Sequence, residues 1–534
     1  MRAGSAHAPG VPRILDVAVI GGGMAGLYTG WSLLTRDLSG SPALRSLVRN
    51  GTLAVGMFEA DRRFGGRLYT VIPPGAPSLR AEMGGMRILR SHVLVTSLVR
   101  ALDLPTVPFP FGDGSNLDYL RHVRFTQRQL LAAAAVVPYT LRRDERHLDQ
   151  SSLQVMAIER YVPNAPALDD AQWTEVKKHT SVAGKALVDL SIADLVKKAL
   201  SPGAWDLVSQ GNGYKSFDQD YNAADMMQFL TSDFNNPRYY ALKGGYGALP
   251  GTLAFRFLNA GGTLMTGASV VSIARTGHAA DPLIRLVVQQ DNSTFTVDAR
   301  HVVLGLPRRS VQLLAPDSFI SESPRFTRDL NSVASIPASK LLTAYHHPWW
   351  APLGLTSGRS VTDLPIRQCI YFGTEDQAPG GEPHNTNSLL KVSYNDDDAT
   401  SYFTRFLGGP PFDAQGSVPA DIQAPAAMVT AIRPQLAAVH GIAVPRPYWA
   451  AYKDWALDPI GAAWHFWRVG QRSYEVMPRI RKPIADANLY VCGEAWSSQQ
   501  GWVEGALQTT EHVLQDHLGL PWPAWLPKGT SIGV

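Results

Sequence analysis

Near both ends of the chain apolar residues gather into short unbroken runs, whereas in the middle they are spaced at helical intervals among charged and aromatic residues. ILDVAVI (14–20) is such a run, closed by a glycine turn, GGGMAG, and it predicts a strand buried on both faces. In LYTGWSLLTRDL (27–38) the residues Leu27, Gly30, Trp31 and Leu34 recur at helical spacing, and LAVGMFEA (53–60) is a second buried strand. A strand, helix, strand unit of this kind builds a parallel sheet, because the chain must cross back before the second strand can pair. Ahead of it lie ten small, flexible residues that end near Pro12.

From Pro105 to about Lys243 the pattern turns to helices and loops, with SLQVMAIERYV (152–162) and NAADMMQFL (222–230) as the clearest helices, so this block reads as an insertion outside the sheet. Strand patterning returns at 261–275, 283–290 and 295–307, then alternates with proline-bounded helices over about 310–455, as in SKLLTAYH. The chain closes with NLYVCGEAW and a helix in GWVEGALQTTEHVLQDHL. The expected class is α/β (α+β overall): a nucleotide-binding domain assembled from 1–104, 243–309 and 455–534, a mixed-sheet domain over 310–454 and a mainly helical insertion over 105–242.

Composition narrows the function classes. Of 534 residues 45% are apolar and 18% charged, as in a soluble globular protein too long for one simple core. Lys plus Arg (49) nearly balances Asp plus Glu (45), and the excess of +4 is spread without a basic block, so no nucleic acid partner is expected. Two cysteines, Cys369 and Cys492, exclude a disulfide scaffold and point to a reducing, cytoplasmic compartment. The run Val17–Ile20 flows straight into the glycine turn and is spent as a strand, not as a signal peptide; LLAAAAVV (130–137) is too short to span a bilayer, so no membrane partner is expected either. No Cys/His cluster has metal-site spacing, and no G-x-S-x-G elbow occurs.

Gly21, Gly23 and Gly26 form G-x-G-x-x-G between the first strand and its helix, the context in which the motif binds a dinucleotide. The first glycine permits the tight turn, the second lets backbone approach a pyrophosphate, and the third lets helix pack on strand. Glu59 ends the second strand, where an acidic residue holds a ribose hydroxyl pair, although the link is longer than the usual ~20 residues. Beyond it ADRRFGGRLYT brings Gly65, Gly66 and Arg67 back toward the phosphates, and YVCGEAW sets Gly493 and Glu494 just after a strand. A nicotinamide domain requires neither. Together these segments resemble the flavin-containing amine oxidase family, whose Rossmann-type domain binds FAD and whose late motif brings an acidic residue to the ribityl or phosphate region.

The resemblance covers roughly 14–100, 243–310, 335–400 and 455–515, with GGGMAG, GGRLYT, GGMRI, SKL and GEAWSSQQGWVEGALQT in family order. GGMRI and GWVEGAL are similar to the branch of L-amino-acid oxidases and amino-acid monooxygenases, whose arginine pairs with the substrate carboxylate; carried onto this chain it is Arg87. A guanidinium offers a planar fork that a carboxylate fills bidentately, the alternative being a structural pair with an internal Asp or Glu. Gly84 and Gly85 beside it leave room for flavin and ligand. The resemblance makes Lys340 the lysine that holds a water near flavin N5, Trp502 an aromatic wall and Val270 the adenine contact. It implies further cofactor contacts at Met24, Ala25, Ala60, Met86, Gly501 and Val503.

Patterning alone gives blander readings of the same positions: Lys340 as a solvated strand lysine, Val270 as an ordinary strand residue, and Trp502 as a core residue on the stripe of Val503, Ala506, Leu507, Val513 and Leu514. Tyr394 and Tyr371 are both candidates for a second carboxylate contact, because SYNDDDA is one residue shorter than the family's run and leaves the register open. Trp464 and Trp467 are candidates for pocket walls, although aromatic clusters are more often core. Cys492 precedes Gly493 as a strand residue and no thiol stands where the family attaches flavin covalently, so FAD is expected to be non-covalent.

The implied reaction carries two electrons from the α-carbon to flavin N5 and consumes O2. Two outcomes are open: hydrolysis of the imino acid to 2-oxo acid, ammonia and hydrogen peroxide, or its reaction with peroxide to the decarboxylated amide of a monooxygenase. An amine oxidase without carboxylate recognition and a flavin-binding protein without turnover are the remaining readings. A basic substrate side chain would be held by one of Asp218, Asp220, Asp225 and Asp233, of which Asp225 is turned away by the buried stripe Ala223, Met226, Met227 and Leu230. An aromatic or long aliphatic one would use Trp464, Trp467 and Trp502. The insertion is expected to contribute to substrate access, and the chain to form a homo-oligomer, dimer or tetramer.

Overall fold

The structure, a computed structural model, describes residues 12–533 apart from 50, 113, 236, 279–280, 315–317 and 414–417. The ten N-terminal residues expected to be flexible lie outside the described residues. Strand Ile14–Ile20 sits inside a seven-stranded sheet, parallel to Val55–Phe58 on one side and to Ser293–Leu304 on the other. Its unbroken apolar run is required there, since only its first residue is exposed.

Ser293–Leu304 is twelve residues long and serves two partners on its far edge: Asp281–Gln290 pairs antiparallel with its first part, and Leu489–Val491 pairs parallel with its last three residues. The stretch 261–275, expected as one strand, is divided at Gly267 (φ +66°) into Thr263–Met265 and Ala268–His278, which lie at opposite edges of the sheet. Helices Met24–Thr35, Ala248–Asn259 and Val503–His512 bury Leu27, Phe257 and Leu507 in one common core with Val19 and Met57 of the sheet.

A second seven-stranded sheet runs in the order Trp449–Asp454, Ala338–Tyr345, Ser388–Asp396, Gln368–Thr374, Arg359–Thr362, Leu117–Leu120, Val123–Thr126. Its last two strands come from the block read as a mainly helical insertion; they are held by a parallel pairing of Val361 with Asp118 and by the Leu117 N–H donating to Ser360 Oγ at 2.9 Å. Helices occupy most of the rest of that block, Gln150–Glu159 and Ala223–Asp233 among them, around a core of Trp173, Leu195, Leu207 and Met227. Tyr239–Leu242 then pairs with both Ile88–Leu89 and Thr106–Phe109, which closes the block beside Arg87.

One irregularity of this sheet decides which side chains face the first. Lys340 pairs with Tyr394 and Leu341 with Ser393, after which the register shifts and Leu342 pairs with Lys391. Val392 is the extra residue of a β-bulge, so Lys391 and Tyr394, three positions apart, share the face of Lys340 although simple alternation would oppose them. Leu390 and Val392 point to the other face, and Tyr371, paired with Leu390, is buried there with them. Among the described residues no helix is long and apolar enough to cross a membrane.

Candidate active site

A cavity is lined by both sheets and by the helical block.

The glycine turn forms one part of its wall. A Cβ at Gly26 would lie 1.9 Å from the Gly21 carbonyl oxygen, so only glycine lets the helix start this close to the strand, and Gly26 itself is packed away from the cavity. At Gly23 the same atom would meet nothing nearer than Gly66 Cα at 3.9 Å, which leaves backbone open to a phosphate. Glu59 accepts the N–H groups of Gly22 (2.7 Å) and Asp61 (2.8 Å), and burial pushes its carboxyl pKa up. Each oxygen keeps a lone pair for a ribose hydroxyl. Gly21, Met24, Ala25, Ala60 and Val270 line the same region. Gly501, Trp502 and Val503 bring the N-terminus of helix Val503–His512 to the wall, and the indole N–H groups of Trp464 and Trp502 are buried without partners. Open backbone, an acid at the strand end and orphaned donors fit a flavin dinucleotide.

Arg67 and Glu494 reach the cavity together but are bonded to each other, Arg67 Nη1 donating to Glu494 Oε1 at 2.6 Å. His465 Nδ1 lies 2.7 Å from the same oxygen, and the Gly501 N–H donates to Oε2 at 2.9 Å. Burial works to raise the Glu494 pKa, yet Arg67, His465 and these hydrogen bonds hold it down at about 2. The two residues expected to contact the cofactor are thus first of all a clamp between the two ends of the chain. Gly84 and Gly85 also have a local reason: a Cβ at Gly84 would fall 1.8 Å from the Arg67 carbonyl oxygen, and one at Gly85 would fall 2.5 Å from Leu68. Their smallness admits the Arg67 segment, and both also line the cavity.

Arg87 is buried, and its guanidinium carbon lies 4.5 Å from the ring centre of Phe111, 4.4 Å from Tyr239 and 5.9 Å from Trp502. Nη2 donates to Tyr214 Oη at 3.2 Å, while Nε and Nη1 have no hydrogen-bond partner. No carboxylate pairs with it among the described residues, which leaves the structural alternative without support. Lys340, far from solvated, is 3% exposed; its Nζ donates to the Gly84 carbonyl and stands 4.7 Å from the Tyr394 ring centre. Burial is the main cause that lowers its pKa to about 7. Met86, Trp464 and Tyr394 complete this part of the wall.

Tyr371 does not belong to the site. It faces the other side of its sheet, hydrogen-bonded to Ser360 Oγ and His440 Nε2, both at 2.8 Å. Trp467 is likewise internal, its indole donating to the Ser497 carbonyl. The four aspartates are engaged elsewhere: Asp218 with Lys215, Asp220 with Ser191, and Asp233 beside His92. Asp225 is not turned to solvent but buried, 2.7 Å from Lys177 Nζ. In their place the helical block sends Tyr214, Phe217, Phe229 and Phe234 to the cavity. These four were missed because aromatics in a helical segment look like core; the spacing of Tyr214 and Phe217 in GYKSF, outside any apolar stripe, was the available signal. Lys391 was missed as well. Its Nζ lies 2.6 Å from Met86 Sδ and 5.1 Å from the Tyr394 ring centre.

Comparison with known proteins agrees with this geometry. The flavin containing amine oxidoreductase family matches residues 24–513. Aplysianin-A of Aplysia kurodai is 25% identical over 94% of this chain and 90% of its own, and achacin of Lissachatina fulica 24% identical over 95% and 94%. An L-amino-acid oxidase of Mus musculus is 24% identical over 92% of this chain and 69% of its own. Wild-type putrescine oxidase bound to putrescine shares the fold, with a TM-score of 0.65 over 94% of this chain and 98% of that one at 15% identity.

Proposed function

The chain belongs to the flavin containing amine oxidoreductase family, and on that premise we propose that it oxidises L-amino acids with large uncharged side chains, releasing 2-oxo acid, ammonia and hydrogen peroxide. The observation that carries this reading is Arg87, a buried guanidinium with two unpartnered donors in the wall of the cavity. An unpaired cation in a desolvated site is costly, and a substrate carboxylate would relieve that cost. A neutral amine cannot.

The chain's own residues account for positioning and for the proton. Arg87 would take the carboxylate, its plane kept in place by the rings of Phe111 and Tyr239 on which it lies. The side chain would fall among Phe217, Phe229, Phe234 and Trp464. The two carboxylates in the cavity wall, Glu59 and Glu494, are already engaged, so a basic side chain finds no free counter-charge there among the described residues. Among the described residues Lys340 brings the one amine in the wall; with its pKa near 7 it can take a proton from the substrate ammonium at neutral pH. The glycine turn, Glu59, Val270 and the start of helix Val503–His512 would hold FAD, which supplies a two-electron acceptor when bound. Holding the carboxylate on Arg87 and the side chain among the rings would orient the α-carbon and turn a collision into an oriented event.

An anaerobic flavin-bleaching screen of L-amino acids against their decarboxylated amines tests this. Phenylalanine, tyrosine, tryptophan and leucine should bleach fastest, ahead of lysine and arginine, with peroxide and 2-oxo acid as aerobic products. Faster bleaching by phenethylamine than by phenylalanine would remove the carboxylate from the mechanism, and a decarboxylated amide as product would make the enzyme a monooxygenase.

A further inference from the structure

Lys391 is wholly buried at the end of the stretch that the β-bulge re-phases, on the same face as Lys340. Both amines lie over one ring, Lys340 Nζ at 4.7 Å and Lys391 Nζ at 5.1 Å from the centre of Tyr394, and the two side chains interact directly. Their surroundings differ. Lys340 has carbonyl acceptors at Gly84 and Glu82, whereas the acceptor beside Lys391 is the thioether of Met86, a weak one. An ammonium has three donors to satisfy and no lone pair, while a neutral amine can accept from its neighbour. The arrangement therefore suits an ammonium on Lys340 that donates to a neutral Lys391.

The charged groups around the pair strengthen that division. Arg87 adds a third cation from the loop before Ile88–Leu89, against one carboxylate, Glu82, which accepts the Tyr246 N–H and the Thr70 hydroxyl at 2.7 Å each. From the strand on the other side, Lys453, paired across from Lys340, is tied to Asp421 at 2.9 Å; on the remaining side stands the apolar ring of Phe372, 5.4 Å from Lys391 Nζ. Three cations cannot all be charged beside one anion in a buried site without severe cost. Burial, then Lys340, then Arg87 push the Lys391 amine well below its ordinary range.

We propose that Lys391 is a positioning residue behind Lys340: the buried pair shares one proton, and its vacant lone pair receives the proton that an amino-acid substrate's ammonium gives up. The proposal rests on the amino-acid reading above. The proton passes from substrate nitrogen to the pair at Lys340 Nζ, the side that lines the cavity, and Lys391 takes up the displaced one. No electrons move in this step and no water is needed. A substrate carboxylate on Arg87 brings the second negative charge that lets the pair become doubly protonated, so binding of the acid end and loss of the amine proton are coupled.

Lys391→Met tests it, with reduction by phenylalanine followed anaerobically at saturation between about pH 6 and 10. In the wild type the pair works while one lysine is still protonated. In the variant Lys340 must itself be neutral first, so the acidic limb of the reduction rate should move up to about pH 7, a roughly 10-fold loss at about pH 6 that is recovered above about pH 8. A merely structural role would lower the rate equally at every pH. If Lys391→Met binds no FAD, Lys391→Gln should show the same displacement. A second arm needs no turnover: 3-phenylpropanoate, which has the carboxylate but no amine, should take up close to one proton per site on binding to the wild-type holoenzyme in weak buffer, and far less on binding to the variant. An unmoved limb, or uptake that is absent in the wild type or unchanged in the variant, overturns the proposal. Failure of amino acids to bleach the wild-type flavin, with this uptake intact, overturns the amino-acid reading instead.

Discussion

The Tyr214 hydroxyl stands 3.2 Å from Arg87 Nη2 and is the one hydrogen-bond partner of that buried guanidinium among the described residues. A residue from the helical block thus orients a cation that sits between the two sheets. Replacing Arg87 with Met should raise half-saturation by amino acids by about 1.5–3 kcal/mol, roughly 10- to 150-fold, and leave that of decarboxylated amines little changed. Tyr214→Phe should act in the same direction but within about 1.5 kcal/mol, because the fork remains. Anaerobic titration of flavin bleaching reads both; an Arg87→Met enzyme with unaltered half-saturation would sink the carboxylate assignment.

Glu494 holds Arg67, His465 and the Gly501 N–H at once, and its folded pKa of about 2 lies below the ordinary value of 4.5. A carboxyl depressed on folding contributes stability that is complete above its unfolded pKa and is lost as the pH falls through the folded one. Glu494→Gln should therefore cost about 3 kcal/mol, since a buried pair is broken, and the cost should be the same at pH 7 and at pH 5.5. Urea unfolding of the holoenzyme at the two pH values measures it, and a cost that shrinks at the lower pH would contradict the pKa.

Gly84→Ala should be far more damaging than its size suggests. The added Cβ would lie 1.8 Å from the Arg67 carbonyl oxygen, which also accepts the Gly85 N–H at 2.9 Å, so backbone must move and the Arg67–Glu494 contact with it. Flavin per chain, read from the visible absorbance of purified protein, is expected to fall sharply. A variant with full flavin content would show that the Arg67 segment yields more easily than this packing implies.

Tyr371→Phe provides a control on the opposite face of the same sheet. It leaves the hydrogen-bonding groups of Ser360 and His440 buried and short of a partner, so stability should drop by about 1–3 kcal/mol. Half-saturation and the reduction rate should not change. A selective effect on amino-acid binding would return Tyr371 to the site.

The nucleotide-binding unit was legible from the sequence because its physics is local: an apolar run, three glycines at fixed spacing and an acid at the next strand end each act within a few residues. Arg87, Lys340, Tyr394, Trp464 and Trp502 likewise meet at one cavity, as the motif order suggested. What escaped was non-local. Counting back from Tyr394 in twos puts Val392 on the cavity face and hides Lys391, and only the bulge, a property of the pairing with Ala338–Tyr345, reverses the two. The pairing of Tyr371 with Leu390, not the chain near Tyr371, sends that tyrosine to the far face. Leu117–Leu120 was equally hidden, since a four-residue strand that reaches the sheet through Arg359–Thr362, more than 200 residues later, leaves no local periodicity to find.

Arg67 and Glu494 are 427 positions apart, and Ile14–Ile20 and Leu489–Val491 flank one shared strand. A growing chain emerging from the ribosome has its glycine turn, first acid and Arg87 long before it has the segment that closes the wall over them. Cofactor capture must therefore come at the very end of synthesis, and a chain cut short by even its last fifty residues would be made almost whole and still remain colourless.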